Sequence, residues 1–110
     1  MEIKELIDKV RNETFIPPLE LSEYKLRLSA EYGYLSEQLS NILKEKPGIW
    51  LEIRQREGVK SDKIADTLWE ASEFGKKETE LKIQLKSIEK LSSAISSRLQ
   101  MYETEARLSR

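Results

Sequence analysis

Lys44, Lys46, Arg54, Arg56, Lys60 and Lys63 flank Trp50 near the middle of the chain. Binding a single nucleic-acid strand needs cations that follow the phosphates, and often an aromatic face on which a base can stack. This stretch supplies both residue types. Arg54 and Arg56 lie two residues apart, about 200° around a helix, so a straight helix cannot aim both at one ligand. Neighbouring copies of the chain could bring them to one groove, and a modest charge per subunit would then repeat into a multivalent belt. The competing reading is structural: the cations solubilise a helix end, and Trp50 fills the core beside a kink.

Catalysis finds little support. The chain has no histidine and no cysteine, which removes the commonest general base, the commonest neutral metal ligand, thiolate chemistry and disulfides. No G-x-G-x-x-G, Walker-type glycine loop or H-E-x-x-H motif occurs. Glu70 with Glu73, or Glu103 with Glu105, are the remaining candidates for a carboxylate metal site, and such pairs are ordinary on charged helices. No enzyme, cofactor or metal is expected. The net charge of −1 excludes a protein that is basic throughout, but the charge is uneven. Residues 43–60 carry five basic and three acidic side chains, and residues 76–110 carry eight and five. The segments 1–42 and 61–75 are acidic.

These residues must be positioned by helices. From Lys60 to Arg110 the chain reads as one long amphipathic helix, with Ser61 as N-cap and Asp62 in its first turn. Leu81, Leu85, Ile88, Leu91, Ile95, Leu99, Tyr102 and Ala106 recur at steps of three and four, the narrow stripe of a coiled-coil seam. Ile64, Leu68 and Ala71 continue it upstream, with Trp69 and Phe74 beside it, and Gly75 marks a bend or a close helix crossing. Such a helix would run to roughly 70 Å, too long for a compact globule of this size.

A second helix is expected from about Glu20 to Arg56, with Leu21, Tyr24, Leu28, Leu35, Leu39, Ile42, Ile49 and Ile53 in near-heptad register. Lys46 fills one step of that register, and Tyr32 or Glu31 another. Pro47-Gly48 predicts a kink or a short break at 46–48. Glu57-Gly58-Val59-Lys60 is the turn, with Gly58 as a left-handed cap, and a short turn makes the two helices antiparallel neighbours.

Upstream, Ile3, Leu6, Ile7 and Val10 make residues 2–12 a small amphipathic helix, followed by an extended linker through Phe15, Ile16, Pro17 and Pro18. A helix this short is not stable alone. It must fold back on the hairpin or dock on a neighbouring subunit, with Leu6, Val10, Phe15 and Ile16 as candidate oligomer contacts. The expected architecture is all-α, one helical domain over residues 1–110. It comprises a short N-terminal helix (1–13), a linker (14–18) and a long antiparallel coiled-coil-like helical hairpin (19–110) kinked near Pro47. Its thin core makes self-association the expected remedy. With no membrane-spanning run, and with Met1-Glu-Ile-Lys leading straight into an amphipathic turn, the protein is expected to be soluble and cytoplasmic.

The arrangement resembles the UvsY-type recombination mediators of tailed phages. The matching stretches are Thr14-Phe15-Ile16, Leu35-Ser-Glu-Gln-Leu-Ser, Leu51-Glu-Ile-Arg54 with its L-x-x-R pattern, and Ala94-Ile-Ser-Ser-Arg98. The chain departs from that family at Glu52, where the family carries a basic residue, at Pro47-Gly48, and in its shorter turn. The resemblance implies a ring-like homo-oligomer, in the host cytoplasm if the chain is phage-encoded. It would bind single-stranded DNA and help to exchange a single-strand-binding protein for a RecA-like recombinase. Arg54 is the residue the resemblance matches; Arg56, Lys60, Lys63 and Trp50 join it by proximity. The alternative is a coiled-coil hairpin that docks on another protein, such as a phage scaffold, chaperone or host-defence antagonist, with no nucleic-acid contact.

Overall fold

The computed structural model describes residues 2–109. Met1, the expected start of the N-terminal helix, and Arg110, the expected end of the last, lie outside the described residues. The fold is an all-α helical hairpin. Its described helices are α1 (Ile3–Asn12), α2 (Pro18–Arg54), α3 (Asp62–Ala71) and α4 (Glu73–Leu108). None is long and apolar enough to cross a membrane.

Pro18 opens α2 at the position where a missing N–H costs nothing, one residue inside the expected linker. Pro47 lies within α2, which runs unbroken to Arg54, so of the expected kink or break the break does not occur. The break comes instead in the segment read as one continuous helix. Ser72, with extended backbone (ψ 162°), separates α3 from α4. It serves both helices. Its N–H donates to the carbonyls of Leu68 (3.1 Å) and Trp69 (3.0 Å), closing α3. Its hydroxyl donates to the Trp69 carbonyl (2.5 Å) and accepts from the Gly75 N–H (3.1 Å), capping α4. The junction is tight enough that a Cβ on residue 75 would sit 1.9 Å from the Trp69 carbonyl oxygen. Gly75 therefore marks a close backbone crossing, with the helix break that permits it three residues earlier.

The break also shifts the phase of the apolar stripe. Upstream of it Ala65 and Trp69 are buried, while Ile64 and Leu68 are exposed, reversing the expected assignment. Downstream the expected seam holds through Leu81, Leu85, Ile88 and Ile95.

By their packing the described residues form two units. The first takes the described part of Met1–Gly33 with Lys86–Arg110. It buries Leu6 and Val10 of α1, Ile16 of the linker, Leu21, Tyr24 and Leu28 of α2, and Ile88 and Ile95 of α4. Lys9 binds the Glu20 carboxylate, which also accepts from the Tyr24 hydroxyl, tying α1 to α2. The Tyr32 hydroxyl donates to Glu89 (2.7 Å), and Arg98 donates to the Glu13 carbonyl just past the end of α1 (3.1 Å). Of the four residues expected at an oligomer interface, Leu6, Val10 and Ile16 are thus buried in the chain's own core. Phe15 alone is exposed, edge-on to Tyr102 at 5.7 Å.

The second unit is Tyr34–Leu85. Ile53, Ala65 and Trp69 form its central cluster, with Ile42, Ile49, Trp50 and Val59 packed against them.

Replacing Gly75 by Ala forces a methyl into a backbone oxygen that no rotamer change can move. The expected loss is about 1–3 kcal/mol, the usual cost of overpacking. Gly48, whose added Cβ meets nothing within 4 Å, is the control: Gly48→Ala should gain up to about 1 kcal/mol from helix propensity. Thermal unfolding of both variants decides it. If Gly75→Ala is as stable as Gly48→Ala, the crossing is not as described.

Candidate nucleic-acid interface

The expected patch sits where α2 ends, and its geometry follows from the turn. Beyond Arg54 the N–H groups of Gln55 and Arg56 continue to bond back onto Leu51 and Ile53, and Val59 closes onto Arg56. Gly58 takes φ +88°, the left-handed conformation that a side chain disfavours. Ser61 then caps α3, its hydroxyl accepting from the Ile64 N–H at 3.2 Å, as its sequence position predicts.

The turn engages two of the five expected strand-binding residues internally. Arg54 donates through Nε to Asp62 (2.9 Å) and through Nη1 to the Val59 carbonyl (2.8 Å), so its guanidinium braces the turn. The Trp50 indole N–H donates to Asp66 (2.7 Å), and the side chain packs against the Ile53–Ala65–Trp69 cluster. Arg56, Lys60 and Lys63 are exposed, and none forms an ion pair among the described residues. Lys44 is also exposed, whereas Lys46 is engaged elsewhere. Exposed Lys and Arg at a turn can hold phosphate oxygens. Glu70 and Glu73 are exposed on α3 and α4, Glu103 pairs with Arg107 (2.8 Å), and no group of three or more carboxylates gathers as a metal site among the described residues.

The most developed polar site is one that sequence reasoning missed. Glu78 is 6% exposed. It accepts from Lys46 (3.0 Å), Lys82 (3.3 Å) and the buried Trp69 indole N–H (3.1 Å). Lys46 also lies over the Trp69 ring at 5.3 Å, and Phe74 stacks nearly parallel to that ring at 6.4 Å. Burial alone pushes the Glu78 carboxyl up. The hydrogen bonds from Trp69, Lys46 and Lys82, with the charge of Lys46, outweigh it and hold the group below its ordinary value. The signal was present: Lys46 occupies a step of the α2 stripe, and Glu78 stands three residues before Leu81 on the α4 stripe.

The chain matches no protein-family model, no curated protein and no solved structure.

Because the folded Glu78 carboxyl titrates lower than the unfolded one, its contribution is complete above the ordinary value of 4.5. It is lost as pH falls through the lower folded value. Glu78→Gln should cost about 1–3 kcal/mol near neutral pH, the penalty of weakening a buried hydrogen-bonded group. That difference should shrink as the solution is acidified below 4.5. Urea unfolding of both proteins across this range tests it. A gap that stays constant into strong acid would show that the charge of Glu78 does not stabilise the fold.

Proposed function

We propose that this chain is a non-enzymatic helical module that binds single-stranded DNA at the α2–α3 turn and acts as a recombination mediator. The observation that carries the reading is the set of exposed cations Arg56, Lys60 and Lys63, which make no ion pair among the described residues. In this reading they hold phosphates, while Arg54 and Trp50 are positioning residues that brace the turn. Few charges per chain give weak binding singly and avid binding when a homo-oligomer repeats them along a strand. Exchange of a single-strand-binding protein for a RecA-like recombinase rests on the resemblance to UvsY-type mediators.

A second reading is favoured by a different observation. Asp62 and Asp66 engage Arg54 and Trp50, two of the expected strand-binding residues, and Ile64, Leu68 and Phe74 of the second unit stay exposed. A hairpin of that kind docks on another protein through apolar helix surface.

Fluorescence anisotropy of labelled oligo-dT at low and moderate salt separates the two. The mediator reading expects binding that weakens steeply with salt. Changing Arg56, Lys60 and Lys63 together to Ala should flatten the log–log salt slope by about 0.7 for each phosphate that is no longer neutralised. Arg54→Ala should lower thermal stability more than strand affinity. Absence of binding at ~10 μM protein and low salt, where even nonspecific binders respond, would leave protein docking as the function.

A further inference from the structure

Within the first unit, α1 and α4 enclose a groove of about 390 Å³ that has no part in the turn. Its apolar lining comes from Ile7 and Val10 of α1 and Leu91 and Ala94 of α4. Ser87 and three cations, Arg11, Lys90 and Arg98, complete its walls, and no carboxylate lines it. None of these three cations forms an ion pair among the described residues. Arg98 is only half used. Its Nη2 donates to the Glu13 carbonyl, while its Nη1 is buried with no acceptor. With one nitrogen engaged and the other buried, Arg98 contributes a fixed positive charge to the groove wall.

We infer that this groove binds an acidic segment of a partner protein, whose apolar side chains lie over Ile7, Val10 and Leu91 while its carboxylates meet Arg11, Lys90 and Arg98. Charge complementarity selects an acidic ligand: three cations line the groove, no carboxylate lines it, and none of the three forms an ion pair among the described residues. The lining selects a peptide over a nucleic-acid strand. It is aliphatic and contains no aromatic ring, so it accepts Leu- or Ile-like side chains and offers no platform on which a base could stack. Apolar anchors flanked by charges are the usual means by which a helical groove takes an amphipathic segment.

The test uses a fluorescein-labelled peptide with Leu at helical spacing and Glu between, a matched peptide with Lys for every Glu, and the full-length chain. The acidic peptide should bind and the basic one should not. Lys90→Glu and Arg11→Glu alter exposed positions and should each weaken binding on the order of tenfold or more, since they place like charges across the interface. Circular dichroism confirms that each variant keeps its helices; Lys90→Gln, with a smaller loss, serves if Lys90→Glu unfolds. Equal binding of both peptides, or unchanged affinity in the Lys90 and Arg11 variants, overturns the proposal. So does displacement of the bound peptide by oligo-dT, which would give the groove to the strand. Loss of strand binding on changing the turn cations, with peptide binding intact, would show the two sites to be independent.

Discussion

The carbonyl oxygen of Trp69 occupies the space that a side chain at position 75 would need, and much of the second unit follows from that approach. On an unbroken helix Trp69 and Glu78, nine residues apart, would face opposite sides and stand ~13.5 Å apart along the axis. Their 3.1 Å hydrogen bond exists only because the chain reverses its phase at Ser72. The same reversal lays Phe74 parallel to the Trp69 ring. One serine that closes a helix and opens the next, and one glycine that lets the two backbones meet, thus set the environment of the buried carboxylate.

That carboxylate in turn explains how the unit distributes its charges. A buried anion is costly unless it is paired and hydrogen-bonded. Glu78 is satisfied by two lysines and an indole, with Lys46 reaching it from α2. At the turn the logic is reversed: the acids Asp62 and Asp66 in the first turns of α3 take up Arg54 and Trp50. An exposed pair of this kind contributes about 0–1 kcal/mol, so its main effect is geometric. The guanidinium also holds the Val59 carbonyl and keeps the turn closed. At the turn, the cation that braces the fold and the cations left exposed are therefore different residues, although they lie within the same few positions.

This division marks the limit of what the sequence discloses. Period alone located the seams: Leu21, Leu28 and Ile53 on α2, and Leu81, Leu85 and Ile95 on α4, are buried where the spacing put them. Ser61 caps α3 because its hydroxyl serves the local backbone and needs no distant partner. The break at Ser72 was hidden because serine is common within helices and no proline marked it; the clue was the close pairing of Ser72 with Gly75. Burial of Trp69 in place of Leu68 followed from that break and could not be read without it. The internal bonds of Arg54 and Trp50 were hidden for another reason. They join residues on either side of the turn, so their formation depends on a geometry that local spacing does not encode.

The N-terminal segment shows the same dependence on tertiary context. A ten-residue helix is marginal alone and needs a packing surface. Leu6 and Val10 are buried within the first unit, Ile16 of the linker with them, and Lys9 and Glu13 add polar ties to α2 and α4. Those residues cannot serve a neighbouring subunit while they are so engaged. An oligomer built by releasing α1 would have to expose them and would remove one wall of the cationic groove. Self-association that keeps α1 in place must instead use surface that the fold leaves outside, such as the exposed Phe15 beside Tyr102. Assembly and the groove are then compatible only if the N-terminal helix stays with its own chain.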